Sequence, residues 1–221
     1  MRYTFGKLIN LIFPARCIFC GEPIDAGSTL LFCPKCQSRY GAERERAILP
    51  GIGSCRYALS YRTQARAAIL RYKFGRRAQY AKTLAYFMRP LVHDADADLI
   101  TWVPIDFFRH VKRTYDQSRL LAEELSRESG IPLAGTLRKI RRNRRQSRLD
   151  AAARKKNVRG CYRAIAPEHI EGKRILLLDD IVTTGSTLAE CARVLYGAGA
   201  KEVMCIALAH ASPKQIQKEK R

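Results

Sequence analysis

Long apolar runs are missing from this chain of 221 residues. None approaches the ~18 consecutive apolar residues of a spanning helix, which excludes an integral helical membrane protein. Acidic side chains are scarce: 20 Asp and Glu face 41 Lys and Arg, a formal net charge of +21. Such a deficit favours a polyanionic partner, whether nucleic acid, a phosphorylated ligand or an acidic membrane face. Histidine is sparse too. His93, His110, His169 and His210 have no partners at catalytic or ligand spacing and read as surface or loop residues. No Gly-Lys-Ser/Thr triplet occurs, so a Walker loop is excluded. Gly51-Ile-Gly53 and Gly197-Ala-Gly199 do not open a helix directly after a strand, so neither is a dinucleotide fingerprint. With 47% hydrophobic and 28% charged residues, the composition is that of a globular protein.

The positive charge is concentrated. Residues 138–163 hold 12 basic side chains and one acidic, whereas residues 1–50 hold 7 and 4. A diffuse solubility charge would not cluster in this way. The start of the chain, with Arg2, Lys7 and the apolar Leu8–Phe13, superficially resembles a secretion signal. The apolar stretch is short, Asn10 interrupts it, and Arg16 stands where a cleavage site needs a small residue. The pattern predicts a short amphipathic helix with Leu8, Leu11 and Ile12 on one face, stopped by Pro14, in a cytoplasmic protein.

Cys17-Ile-Phe-Cys20 and Cys33-Pro-Lys-Cys36 are two Cys-x-x-Cys pairs with twelve residues between them. Each tight turn directs two sulfurs at one point, and two turns complete a tetrahedron around a structural Zn²⁺ held by Cys17, Cys20, Cys33 and Cys36. Gly21 and Pro34 suit such turns. The alternatives are two disulfides, disfavoured in a reducing compartment, or four free thiols. A module of this size has little core, so metal would supply much of its folding free energy. Cys55, Cys161, Cys191 and Cys205 show no ligand spacing and are expected to pack as small apolar residues.

Beyond this module, strands and helices alternate. Strands are predicted at Arg56–Tyr61, Leu99–Val103, Ile175–Leu178 and Val203–Ala209. Helices are predicted at Thr63–Phe74, Gln79–Met88, Asp116–Ser129 and Thr187–Tyr196. The fold class is α/β: a mainly parallel sheet with flanking helices, and ligand chemistry at the carboxyl ends of its strands. Pro50, Gly51 and Gly53 mark a boundary, so the expected units are a metal module over 1–45, a sheet domain over 55–212 and a charged tail over 213–221.

The segment Ile175-Leu-Leu-Leu-Asp-Asp-Ile-Val-Thr-Thr-Gly-Ser-Thr187 carries the clearest chemistry. A buried strand ends in two acids, then a Thr/Gly/Ser loop opens a helix. Backbone amides and hydroxyls at a helix start cradle phosphate, and a neighbouring carboxylate accepts hydrogen bonds from sugar hydroxyls. The pattern suits a ligand with both a phosphate and a diol, such as ribose 5-phosphate. All thirteen positions resemble the phosphoribosyl pyrophosphate (PRPP) signature of type I phosphoribosyltransferases. By that resemblance Asp179 and Asp180, the catalytic pair, hold the ribose hydroxyls. Thr183, Thr184, Gly185, Ser186 and Thr187 then wrap the 5′-phosphate, and Mg²⁺ accompanies PRPP.

The wider order of motifs resembles the ComF family, competence-associated phosphoribosyltransferase-like proteins with zinc knuckles. These motifs are the Cys pairs, Leu-Arg-Tyr-Lys-Phe at 70–74, Trp-Val-Pro-Ile at 102–105, Arg113–Ser118, Gln146, Leu149, Arg154, Asn157–Gly160 and the PRPP loop. Two positions depart from the family pattern: Thr114 replaces a glycine and Asp116 an asparagine. A positive φ at the first would strain Thr114. The second adds a negative charge where an anion would sit.

The basic segment supports three readings. In a phosphoribosyltransferase this stretch closes over the pyrophosphate, where cations stabilise the leaving group. Catalysis needs few such residues, and the surplus fits a phosphate-backbone track for single-stranded DNA. That track would comprise Arg138, Lys139, Arg141, Arg142, Arg144, Arg145, Arg148, Arg154, Lys155 and Lys156. The third reading is a solvated basic face. Tyr72, Phe74 and Tyr80 could stack bases, although such residues are more often core. The resemblance implies a role in natural competence, with DNA-uptake proteins as possible partners. The alternatives are an active phosphoribosyltransferase in nucleotide salvage or synthesis, and a non-catalytic PRPP sensor.

Overall fold

The structure is a computed structural model that describes residues 14–25, 27–41, 45–106, 114–141 and 157–212. The amphipathic helix expected before Pro14 and the charged tail from 213 lie outside the described residues. In chain order the elements are α1 (Pro34–Gly41), β1 (Glu45–Leu49), β2 (Gly53–Ser60), α2 (Thr63–Phe74), α3 (Tyr80–His93) and β3 (Leu99–Trp102). They continue with α4 (Gln117–Ser129), β4 (Leu137–Lys139), β5 (Tyr162–Ala164), β6 (Arg174–Val182), α5 (Ser186–Gly197) and β7 (Glu202–His210).

Five strands form one sheet in the order β1-β2-β7-β6-β3. β2, β7, β6 and β3 are mutually parallel, and only the edge strand β1 runs antiparallel, against β2. Helices cover both faces, which explains why β6 begins with an unbroken apolar run. Leu176 and Leu178 join Ile206, Leu208 and Ile100 in a core shared with Ile69, Leu84, Met88 and Leu121 of α2, α3 and α4. Ile175 and Leu177 point the other way, into a core with Leu188, Cys191 and Leu195 of α5. Cys55, Cys161 and Cys205 are buried in that second core as well, packed as small apolar groups. Each fully buried Leu or Ile contributes about 1.5–3 kcal/mol.

Several elements outrun their sequence signals. The pattern ends α3 at Met88, before Pro90, but the helix continues to His93. Leu91 and Val92 are each 2% exposed, and their burial holds a final turn that the missing Pro90 amide weakens. Residues 45–49, assigned by sequence to the end of the metal module and a linker, form the edge strand β1. β4 and β5, three residues each, make a separate antiparallel hairpin flanking the basic segment.

The cysteine module shares the first core instead of standing apart. Cys17, Ile18, Phe19, Cys33, Cys36 and Tyr40 cluster with α2 and α3 residues. Phe19 stacks on Tyr40 at 4.5 Å and meets the edge of Phe87 at 5.3 Å, and the Leu31 amide donates to Thr83 Oγ1 at 2.9 Å. Packing against the main core therefore helps to hold this module in place.

Candidate functional site

β6 positions the acids by being longer than its neighbour. β3 pairs with it only as far as Trp102 opposite Leu178, while β7 pairs on to Val182 opposite His210. The second half of β6 thus has an open flank beside the start of α4. Asp179 and Asp180 lie within the strand, which continues to Val182, and not at its end as the sequence pattern predicts.

Asp179 Oδ1 accepts the Asp180 amide at 2.8 Å and the Ser118 hydroxyl at 3.3 Å. Asp180 Oδ1 accepts the Ile181 amide at 2.6 Å, and its Oδ2 meets Lys73 Nζ at 2.7 Å. Burial, reinforced by the neighbouring Asp180 charge, pushes the Asp179 carboxyl up to about 7; Lys73, the Asp180 amide and Ser118 oppose that rise. Adjacent carboxylates on a half-buried strand are costly unless a cation or a set of hydroxyl donors uses them.

Thr183–Gly185 carries the chain from β6 into α5. Gly185 is left-handed, with φ 72°, and a Cβ there would lie 2.9 Å from Leu49 Cβ. Thr184 Oγ1 and Ser186 Oγ are 2.9 Å apart. The cleft over this loop is lined by Asp179 and by residues 181–188, so it brings together Asp179 and all five predicted phosphate ligands, whereas Asp180, turned to Lys73, does not line it. The first amides of α5 face no intrahelical acceptor, and the helix dipole adds positive potential, so the loop can hold a dianionic phosphate.

The site draws on residues that the sequence pattern leaves without a role. Lys73 sits in the 70–74 motif, at the last turn of α2. Ser118 comes from the first turn of α4. His210 is not a surface histidine: it ends β7, its ring lies tilted against Tyr57 with centroids 5.0 Å apart, and burial lowers its imidazole against an opposing hydrogen bond with the Thr183 backbone. Thr114 does adopt a left-handed conformation, φ 68°. Asp116 spends both carboxylate oxygens on backbone amides. Its Oδ1 accepts the Arg119 amide, capping α4, and its Oδ2 accepts the Ile105 amide at 3.2 Å. Burial raises its carboxyl, and Asp180 adds to the rise.

Only part of the predicted basic track is described. Arg138 is exposed and pairs across the hairpin with exposed Arg163; Arg141, also exposed, donates to the Arg159 carbonyl at 2.9 Å. Lys139 is a correction. Its side chain is 3% exposed, lies over the Tyr162 ring and faces Asp106 at 3.8 Å, so it is no surface contact. Arg142, Arg144, Arg145, Arg148, Arg154, Lys155 and Lys156 lie outside the described residues. Of the aromatic candidates, Tyr72 is fully buried and bonds the Gln117 carbonyl, Tyr80 packs on the core, and Phe74 is exposed.

The four cysteines converge. Their sulfurs all lie within 4.8 Å of one another, and Cys20 Sγ and Cys33 Sγ are 3.6 Å apart. A tetrahedron of Zn–S bonds of ~2.3 Å has edges of roughly 3.8 Å, so the set fits a four-thiolate site. Burial raises the Cys17 thiol, but hydrogen bonds from the Cys20, Cys33 and Phe19 backbone outweigh it and bring it down to about 7. Burial and the other thiols raise Cys36. Four crowded, partly dehydrated sulfurs favour a divalent cation.

Comparison with known proteins places these features. Competence protein F of Haemophilus influenzae is 32% identical over 152 residues, 65% of this chain and 66% of that protein. DNA utilization protein YhgH of Escherichia coli K12 is 34% identical over 144 residues, 61% of this chain and 63% of that protein. The chain thus matches just under two thirds of the length of these relatives. Glutamine phosphoribosylpyrophosphate amidotransferase from B. subtilis superimposes with a TM-score of 0.43 at 23% identity, over 71% of this chain and 34% of that one. A model of the phosphoribosyl transferase domain matches residues 103–221, which hold the acid pair, the Thr183–Thr187 loop and the basic segment but not Cys17, Cys20, Cys33 and Cys36. With a mainly parallel sheet whose inner strand β6 carries Asp179 and Asp180 into the Thr183–Gly185 loop, the chain belongs to the phosphoribosyl transferase domain family.

Proposed function

We propose that this protein is a ComF-type, PRPP-binding, phosphoribosyltransferase-like protein that handles single-stranded transforming DNA in the cytoplasm during natural competence. The observation that carries the ligand half is the placement of Asp179 and Thr183–Thr187 around one cleft, with Asp180 beside it in β6. Asp179 and Asp180 accept hydrogen bonds from the ribose diol. The amides and hydroxyls of Thr183–Thr187 bind the 5′-phosphate. Mg²⁺, entering with PRPP, would neutralise pyrophosphate charge. Cys17, Cys20, Cys33 and Cys36 hold Zn²⁺, which fixes the module against α2 and α3.

The DNA half is supported by the relatives' names and by the hairpin stem. Arg138 directly opposite Arg163 is a like-charge cross-strand pair, which destabilises a hairpin unless an anion lies across it. A phosphate backbone is such an anion, and DNA-uptake proteins are the partners that would deliver it. No helix among the described residues is long and apolar enough to cross a membrane.

Calorimetric titration with PRPP and Mg²⁺ tests the ligand site, with Asp180→Asn expected to weaken binding without unfolding the chain. Pyrophosphate release from PRPP across a base panel separates a binding protein from an active transferase. Binding of single-stranded DNA should fall steeply with salt and drop when Arg141, Arg142, Arg144 and Arg145 are changed to Ala. A flat salt response would remove the DNA role.

A further inference from the structure

The 70–74 motif reaches the acid pair through one residue. Lys73 Nζ stands 2.7 Å from Asp180 Oδ2, and both side chains are 12% exposed. Its place is fixed from three directions. Arg71 donates to the Ile18 carbonyl inside the first cysteine turn. Tyr72, fully buried, donates to the Gln117 carbonyl at 2.9 Å and accepts from the Tyr115 hydroxyl at its own carbonyl. The helix then stops at Gly75, whose amide bonds the Arg71 carbonyl at 2.7 Å. Three successive side chains thus tie the last turn of α2 to the metal module, to α4 and to β6. A cation at a helix C-terminus is further favoured by the macrodipole.

The charges facing this point are unbalanced. β6 supplies Asp179 and Asp180, the start of α4 supplies Asp116, and α2 supplies Lys73. The neighbouring Tyr72 hydroxyl is raised by burial, then by Tyr115, Asp180, Asp116 and Glu123. Three carboxyl groups therefore face one ammonium. Its direct partner is Asp180, and its field also steadies Asp179.

We infer that Lys73 is a positioning residue for the sugar site: acting through its contact with Asp180, it fixes the adjacent acids as acceptors for the ribose diol. This rests on the phosphoribosyl reading of the cleft. An ordinary structural ion pair would stabilise the fold but would leave the pH dependence of ligand binding alone. A positioning cation shifts that dependence, because without it Asp179 holds its proton to higher pH and offers the diol a poorer acceptor.

The test is the affinity for PRPP with Mg²⁺, measured by calorimetry from about pH 6.5 to pH 8.5, for wild type, Lys73→Met and Lys73→Arg. Lys73→Met should bind about 30-fold more weakly near pH 6.5 and return to within about threefold of wild type near pH 8.5, each pH unit being worth up to a factor of ten. Lys73→Arg should keep the wild-type profile. In an Asp180→Asn background, Lys73→Met should add only a small further loss, through its field on Asp179, since its direct partner is gone. Circular dichroism checks that each variant is folded, and Lys73→Gln, isosteric enough and uncharged, repeats the comparison if Met is poorly tolerated. A loss that is uniform across pH, an unchanged profile, or a full additional loss in the Asp180→Asn background overturns the role of Lys73. Wild-type protein that binds no PRPP at any pH overturns the underlying ligand reading as well.

Discussion

Asp179 is held at a cost to the fold, and that cost can be measured. Its carboxyl is raised from an ordinary 3.8 to about 7 by burial and by the Asp180 charge. A raised carboxyl prefers to be protonated in the folded state, so folding stability is fullest below the unfolded value near 4. It declines as pH rises toward 7, and levels off above. The whole displacement corresponds to about 4 kcal/mol at pH 8, of which roughly 3 kcal/mol is lost between pH 5 and pH 8. Asp179→Asn removes the ionisation and keeps an oxygen to accept the Asp180 amide and the Ser118 hydroxyl. The variant should therefore unfold later than wild type at pH 8, by on the order of 10 °C for a chain of this length, with most of the gain gone at pH 5. Thermal melts at both pH values, with zinc present throughout, decide the matter. PRPP binding should fall in the same variant. A lower melting temperature at pH 8 would refute the reasoning, because it would mean that the ionised pair supports the fold.

Other outcomes follow from single contacts. Gly185→Ala must force a left-handed alanine and bring its Cβ to 2.9 Å from Leu49 Cβ. A loss of about 2–4 kcal/mol in denaturant unfolding is expected, partly relieved in a Leu49→Ala background. Thr114→Gly should stabilise the chain by about 1 kcal/mol, since φ 68° suits glycine. Arg71→Met removes the bond to the Ile18 carbonyl between Cys17 and Cys20 and should make zinc about tenfold easier to extract by a chromogenic chelator. Lys139→Ala leaves Asp106 without its buried cation and should lower the melting temperature, whereas Arg138→Ala should not.

The parts of the site that were legible in the sequence are those carried by contiguous chain. Residues 175–187 hold strand, acids, loop and helix start in a single run, and the spacing of four cysteines gave the metal set without reference to the fold. The ion pair of Lys73 with Asp180 was invisible because α2 and β6 are far apart in sequence and only the sheet order brings them together. β6 was read too short because two acids look like a strand end. They are tolerated inside it because β3 stops at Trp102 and leaves that flank open. β4 and β5 gave no periodic signal at three residues each, and the Lys139 charge looked like its neighbours until Asp106 and Tyr162 enclosed it. Asp116, read as a negative charge set against an anion, spends both oxygens on backbone amides.

The contact between Leu49 and Gly185 bears on how this molecule can be cut and recombined. β1 looks like a spacer between the cysteine module and the larger sheet, yet it forms one wall of the Gly185 turn. Trimming the chain back to Ser54, or grafting a different front end there, would leave that turn propped on one side only. Any exchange of the cysteine module must therefore leave the edge strand with Gly185.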